Sequence, residues 1–459
     1  MKQIYFLLLL FFSLLSVSSQ EDIWKGKSVK ISNGNLEVSA NGRYIQHKNG
    51  TPFFYLGDTA WELFHRLNEE ETEMYLENRR AKGFTVIQAV VLAEHNGLNT
   101  TNRNGDKPLI DNDPLKPNEN YFKWVDKVIK MAEKKGLYIG LLPTWGDKVD
   151  KKWGVGPEIF NKENAYTYGA WLGKRYQKSK NIIWIVGGDR PGGEQNYEIW
   201  EAMAKSIKSE DNNHLMTFHP SGDASSSQWF HNSEWLDFNM AQTGHCHRRY
   251  EFYSNHIVND YNKAPVKPCM DGEPNYENHP ICWKPDEQGW FDDVDVRLSA
   301  YWSLFSGAFG YTYGCHDIWQ MLDEGRTPVG FARGNWKVSL DLPGAYDMIH
   351  IRRLLEPLDW DTRKPVDDII VSDNTSPKDR IVALAGKDYI LIYFPTGKEA
   401  VFNLTKLELA QNLSMKWFDP RTGEYKDAGG LQNIKNHKIT PPTSGHGNDW
   451  ILVIGRTPK

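Results

Sequence analysis

NIIWIVGGD, residues 181–189, is an apolar run that stops abruptly on two glycines and an acid, with RPGG directly after it. Five hydrophobic residues precede the break, and Asp189 stands where it falls. One ordinary reason for an acid there is helix capping, because an aspartate accepts hydrogen bonds from the free N–H groups of a helix start. Another is that the run is a buried strand of a parallel sheet, with the acid on the rim at its C-terminal end. What separates the two is how many other segments of the chain end in the same way.

Seven others do. PFFYLGDTAW (52–61), FTVIQAVVL (84–92), LYIGLLPTW (137–145), HLMTFHP (214–220), LDFNMAQTGH (236–245), PVKPCMDGEP (265–274) and AFGYTYGCHDIW (308–319) are strand candidates that finish on polar or aromatic residues. Helix-like stretches alternate with them, among them EEETEMYLENRRAKG (69–83), YFKWVDKVIKMAEKKG (121–136) and YTYGAWLGKRYQKSK (166–180). The second places Phe122, Val125, Val128, Ile129 and Ala132 at helical spacing, with Gly136 where a C-terminal glycine belongs. Near-continuous apolar strands alternating with amphipathic helices indicate a parallel sheet covered by helices, and eight such units predict a (β/α)8 TIM barrel. In that fold the strand C-terminal ends form the active face. Here they carry Asp58, Trp61, Gln88, Trp145, Asp147, Asp189, His219, Gln242, His245, Glu273 and His316.

The rest of the 459-residue chain falls into place around the barrel. Lys2 followed by IYFLLLLFFSLLSV (4–17) and SSQ reads as a secretory signal, too short for a comfortable membrane span, so residues 1–20 are set aside and an exported, periplasmic or secreted protein is expected. Nothing later in the sequence is long and apolar enough to cross a bilayer. VKISNGNLEVSANGRYIQHKNGTPF (29–53) reads as a hairpin leading into the barrel and packing against a C-terminal sheet. After PGAYDMIHIRRLLEPL (343–358), short strand signals (RIVALAG, YILIYFP, AVFNL, SMKWFDP, WILVIG) separated by turn residues predict an antiparallel β-sandwich. The expected division is a barrel with its hairpin over 21–360 and the sandwich over 361–459. A net charge of −5 with dispersed Lys and Arg leaves no basic footprint for nucleic acid. The chain's 18 Trp, 21 Tyr and 20 Phe offer broad apolar faces of the kind that stack on sugar rings. Cys246, Cys269, Cys282 and Cys315 permit three full pairings and form no zinc spacing, and Cys269, inside an apolar strand, reads as a buried thiol.

Two acids carry chemistry. Asp189 ends the fourth strand and Glu273 the seventh, which stand across a barrel mouth from each other. Glycosidic cleavage needs two carboxyl groups flanking one bond, one to protonate the leaving oxygen and one to attack the anomeric carbon or activate water. Gly187, Gly188 and Gly272 would let substrate approach the backbone beside them. Such a pair calls for no cofactor and no metal.

GDTAW (57–61), VGGDRP (186–191), HPSG (219–222), QTGH (242–245), GEPNYE (272–277) and YGCHDIWQ (313–320) resemble the catalytic domain of apiosidase-like proteins, glycoside hydrolase family 140, over nearly the whole mature chain. WFDPRTGE (417–424) and GNDWILVI (447–454) resemble the collagen-binding-type domain that accompanies that family. The resemblance implies that Asp189 is the acid/base and Glu273 the nucleophile. It also implies cleavage of the apiosyl linkage in side chains of rhamnogalacturonan II, a pectin, with retention of configuration. Many retaining barrels of the wider clan carry Asn-Glu on the fourth strand where this chain has Gly188-Asp189, so the acid/base role rests on the narrower family.

The remaining rim residues divide between binding and structure. Asp58 binds sugar hydroxyls or caps the next helix; Trp61 and Trp145 are stacking platforms or core. Gln88 is a candidate substrate ligand, as are His219, His245 and His316, which could also tune Glu273, while Gln242 and Tyr276 are placed to orient the nucleophile. Asp147 and Lys148 read as a local ion pair, and Glu277 as a loop or helix acid. Two other classes stay open: a metal-dependent barrel hydrolase built on His245, His247, His219 and Asp317, and a non-catalytic protein that holds carbohydrate or collagen.

Overall fold

The computed structural model describes residues 23–407, 414–430 and 435–455; the expected signal segment lies outside them. Each of the eight predicted segments contains a strand. These are β1 (Tyr55–Thr59), β2 (Val86–Leu92), β3 (Tyr138–Thr144), β4 (Ile182–Gly187), β5 (Met216–His219), β6 (Asn239–Gln242), β7 (Cys269–Asp271) and β8 (Gly310–Tyr313). Parallel ladders join them in the order β5-β4-β3-β2-β1-β8-β7-β6. The ring is completed between β5 and β6, where the Asp237 N–H donates to Met216 O at 2.9 Å and Thr217 Oγ1 to Phe238 O at 2.7 Å. A two-residue strand, Ala224–Ser225, pairs antiparallel with the end of β6.

Helices α1 (Glu69–Ala81), α2 (Glu119–Lys135), α3 (Lys162–Tyr176), α4 (Tyr197–Glu210), α5 (Tyr250–Tyr261), α6 (Asp293–Phe305) and α7 (Pro343–Leu355) cover the barrel. Only a single turn, Ser227–Phe230, stands between β5 and β6. Local signals set the helix ends. Asn68 and Glu71 close a capping box on α1. Gly136 ends α2 in the left-handed region at φ 75°, and the residues predicted for its apolar face are buried.

The N-terminal hairpin pairs Leu36–Val38 with Ile45–His47. It plugs the barrel's base, where Phe53 meets Tyr138 edge-on at 5.0 Å. It also reaches the connecting residues: Tyr44 packs on Trp360 and its hydroxyl donates to Asp361 at 2.5 Å.

The C-terminal module runs β9 (Val382–Gly386), β10 (Tyr389–Phe394), β11 (Ala400–Phe402), β12 (Ser414–Phe418), β13 (Tyr425–Gly430), β14 (His437–Ile439) and β15 (Trp450–Gly455). One sheet has the order β9-β10-β15-β12-β13, with Lys364–Pro365 paired on its β9 edge; β11 and β14 form the second. Along β10, Ile390, Ile392 and Phe394 face the second sheet, whereas Tyr389, Leu391 and Tyr393 join the core continuous with the barrel. The large sheet is therefore covered on both faces, which explains why its central strands read as unbroken apolar runs rather than as alternation.

Candidate active site

The C-terminal ends of the barrel strands open into a cleft of about 720 Å³. Trp61, Trp145, Asp189, Gln242, His245, Glu273, Tyr276 and His316 line it, as expected from sequence. Asp189 reaches this rim through an unusual backbone: Gly187, Gly188 and Asp189 have φ of 97°, 132° and 56° in succession. A non-glycine residue held in the left-handed region is strained, and such strain concentrates at functional positions. It caps no helix, since α4 begins eight residues later at Tyr197.

The three glycines beside the acids answer to packing rather than to substrate. A Cβ on Gly187 would lie 2.4 Å from His219 O, one on Gly188 2.9 Å from Gly146 N, and one on Gly272 2.5 Å from the Met240 side chain. They let neighbouring strands carry the two acids close to His219 and Met240.

Glu273 is held by two histidines. His219 Nε2 lies 2.8 Å from its Oε2 and His245 Nε2 3.1 Å from its Oε1. His219 Nδ1 lies 3.3 Å from the Asp189 backbone N–H and 3.1 Å from Pro220 O, so the ring is fixed between these two groups with Nε2 facing Glu273. Burial alone would push the Glu273 carboxyl up, but the close approach of His219 and His245 outweighs it and holds the pKa at about 2. Asp189 moves the other way: burial raises its pKa, and the negative charge on Glu273 raises it further against the opposing pull of Arg190. One cleft thus holds one carboxylate and one carboxyl group inclined to keep its proton. Asp189 is also gripped at the side chain, where Trp153 Nε1 donates to Oδ2 at 2.8 Å and Gln242 Nε2 to Oδ1 at 3.3 Å.

Several expected roles change. Gln242 serves Asp189, not the nucleophile position. Asp58 does not reach the cleft: its carboxylate is buried against Arg79 Nε of α1 at 2.8 Å and takes the Tyr75 hydroxyl, so it neither binds sugar nor caps a helix. Gln88 is buried below the cleft, donating to Gly272 O at 3.0 Å and Thr312 Oγ1 at 2.7 Å; it supports the backbone just before Glu273 instead of meeting substrate. His316 presents a ring edge to the cleft, but Nε2 donates to Gly330 O at 2.7 Å and Nδ1 accepts from Trp319 at 3.1 Å. Burial lowers its pKa to about 4, so it is a neutral structural histidine. Trp184 points outward, its indole N–H on Asp211 at 2.8 Å, and contributes nothing to the cleft. Trp61 and Trp145 are at once core and wall: their rings lie 5.1 Å apart and both pack on His219.

Glu94, Trp153, His279 and Trp283 line the cleft without a strand-end signal, and Trp319, the last residue of the eighth predicted segment, lines it too. Glu94 sits two residues beyond β2 and is only 16% exposed. Burial, then the charges of Asp147 and Asp189, raise its pKa to about 8. Asp147 and Lys148, a fully buried pair at 2.7 Å, do more than neutralise each other: Lys148 holds Ala93 O and Asp147 holds the Gly156 N–H, so they tie the Glu94 and Trp153 loops together. On the opposite wall His279 stacks on His245 at 4.4 Å. A disulfide, Cys246–Cys282, joins the loop of His245 to that of Trp283, while Cys269 and Cys315 are buried thiols. Glu277 is buried and accepts from the Tyr313 hydroxyl at 2.6 Å and the Gly344 N–H at 3.1 Å.

The residues that suggested a metal centre are divided. His219 and His245 face Glu273, whereas Asp317 is taken up by Asn278, the Gly334 N–H and Ser339. Among the described residues no group of three or more His, Cys, Asp or Glu converges as ligands, and no helix is long and apolar enough to cross a membrane.

Comparison with known proteins agrees with this geometry. A family model described as "Apiosidase-like, catalytic domain" matches residues 39–362, and one described as "Putative collagen-binding domain of a collagenase" matches 365–455. A solved structure titled "Glycoside hydrolase" is 35% identical, covering 94% of this chain and 99% of its own, with a TM-score of 0.87. A structure described as a glycoside hydrolase family 5 protein from Bacteroides vulgatus ATCC 8482 is 33% identical over 93% of this chain and 94% of its own, with a TM-score of 0.86. No curated protein matches.

Proposed function

This chain belongs to the apiosidase-like family of glycoside hydrolases, and from that premise we propose that it is an exported, retaining enzyme that cleaves the apiosyl linkage in side chains of rhamnogalacturonan II. Glu273 is the nucleophile and Asp189 the acid/base. The observation that carries this is two carboxyl groups in one cleft with different neighbours, Glu273 facing His219 and His245 and Asp189 held by Trp153 and Gln242, which lowers the pKa at Glu273 and leaves it raised at Asp189.

In the first half-reaction a Glu273 carboxylate oxygen bonds to the anomeric carbon as the bond to the leaving oxygen breaks. Asp189 delivers its proton to that oxygen. In the second half-reaction water attacks the same carbon, Asp189 takes the water's proton, and Glu273 leaves as carboxylate. His219 and His245 stabilise the carboxylate before attack and after release. Trp61 and Trp145 give the sugar an apolar wall.

The test is incubation with rhamnogalacturonan II side-chain oligosaccharides, identification of the released sugars, and NMR of the anomeric configuration of first-formed product. Release of an apiose-terminated fragment with retained configuration is expected. Inverted product would replace the covalent route with a base-activated water, and no release from any pectic fragment would move the substrate to another glycan.

A further inference from the structure

Beside the cleft lies a second cavity of about 460 Å³, on the rim formed by the loops after β1, β2, β3 and β8. Its wall is cationic through Arg66, Arg103 and Arg326, and His65 and His95, whose pKa values burial lowers, line it beside them. The two cavities share Val329, and His95 on the wall of one packs at a tilt against Trp319 on the wall of the other, 5.1 Å between ring centres. A ligand chain lying in the cleft can therefore continue into this cavity without leaving the protein surface.

The positive charge there is only partly neutralised. Arg66 meets the buried Glu62 at 3.3 Å and donates to Gln320 O at 2.6 Å. Among the described residues no acid lies at contact distance from Arg326: its two Nη atoms donate to the backbone carbonyls of Met321 and Arg66. Arg103, with a half-exposed side chain, has Glu71 no nearer than 3.9 Å, and Glu71 is shared with Lys337 at 3.3 Å. Asp323 is engaged by Lys337 and Asn335. Burial and the neighbouring Arg66 charge lower the Arg326 pKa against the opposing pull of Asp323 and Glu71. His65 adds a polar atom without a protein partner: it is 5% exposed, its Nε2 meets Thr100 Oγ1 at 2.9 Å, and its Nδ1 has none.

We propose that this cavity is a subsite for a carboxylate-bearing sugar, a uronate unit of the same glycan chain that is cut in the cleft, held through Arg66, Arg103 and Arg326. Planar guanidinium groups match the planar carboxylate of a uronate, and a sugar's remaining hydroxyls find Thr100, Thr101 and His65 around them. The occupant follows from position: the cavity opens beside a sugar-cleaving cleft, so the anion it takes is one carried along a glycan. The inference deepens the proposed action on pectin, an acidic polysaccharide, and rests on it for the identity of the chain.

Binding, not turnover, tests it. Full-length Glu273→Gln protein is titrated calorimetrically with trigalacturonate, with its methyl ester and with sodium sulfate, at low and high salt. The acid form should bind about tenfold more tightly than the ester, with a preference that fades at high salt. Arg103→Gln, at an exposed position that leaves the fold undisturbed, should remove most of that preference. Equal affinity for acid and ester, a preference untouched by Arg103→Gln, no detectable binding of the acid at millimolar concentration, or displacement of the acid by equimolar sulfate would each overturn the assignment. Because no bond need be cleaved, an enzyme whose scissile linkage is something other than apiosyl still answers the question, and failure here leaves the cleavage test intact.

Discussion

Glu273 and Asp189 differ less in their chemistry than in their neighbours. Two imidazole nitrogens face Glu273, whereas the Asp189 carboxyl is held by Trp153 and Gln242 and meets Glu273's charge in a half-buried site. Asp189→Asn should therefore slow cleavage of natural substrate by about 100-fold or more. It should spare an aryl glycoside whose leaving group needs no proton, and flatten the alkaline limb of the pH–rate profile. Equal damage on both substrates would remove Asp189 as the acid. Glu94 gives a second expectation at this scale. Its folded pKa of about 8 lies above the ordinary carboxylate value, so the folded state prefers it protonated. Below the ordinary value both states are protonated and the site is neutral to stability; as pH climbs toward 8 the unfolded chain ionises first and stability is lost. Glu94→Gln should thus stabilise the fold at pH 8 by roughly 1 kcal/mol or more and raise its melting temperature there, with the gain vanishing near pH 4. Melting curves at the two pH values decide it; a gain independent of pH would contradict the assigned protonation.

At the scale of elements, the eight strands were legible because a parallel strand covered on both sides must be apolar throughout, and because each run stops where the rim begins. Asp189 and Glu273 were legible for the same reason. Asp58 and Gln88 show the limit of that rule. Both stand near strand ends, but one faces Arg79 of α1 and the other the barrel interior below Gly272, and which way a strand-end side chain points depends on partners that a single run does not reveal. Glu94, Trp153 and Trp283 stand in loops, where no periodicity marks them; only folding brings them to the cleft. The glycines of the VGGD turn are a separate case, since their residue type was visible but its reason was not. Gly187→Ala would set a Cβ 2.4 Å from His219 O at a φ of 97°. The strands must part there, moving His219 away from Glu273. A loss of about 2 kcal/mol or more in stability is expected, together with a fall in kcat larger than any change in KM. Denaturant melts and steady-state kinetics on one preparation measure both. Unchanged kcat in a folded variant would show that the β4–β5 contact does not set the histidine.

On the scale of the whole molecule, the C-terminal module is built into the barrel's own core. Tyr393 stacks on Tyr301 of α6 at 4.8 Å, and Arg297 of α6, 1% exposed at its side chain, reaches Asp449 at 2.9 Å and Asp347 of α7 at 2.6 Å. Burial, against the pull of Arg297, pushes the Asp347 pKa up to about 8, and Asp449's charge adds to that rise. At neutral pH the guanidinium consequently takes its counter-charge from Asp449, of the other domain, and from Asp293, one turn before it on α6 at 3.2 Å. Asp449→Asn should cost about 3 kcal/mol, since it leaves a buried cation without that partner. The cost should also depend on pH. In the wild type Asp347 stays protonated when folded, so stability drains away between the ordinary carboxylate value and pH 8 as the unfolded chain ionises. Removing the Asp449 charge lowers the Asp347 pKa, lets it ionise beside Arg297 and reduces that drain. The stability gap between wild type and Asp449→Asn should therefore be widest near pH 5 and narrow toward pH 8. Urea melts across that range read it directly. A gap that stays constant, or widens with pH, would mean that Asp347 already carries its charge in the intact protein and that the two domains are not coupled through this proton.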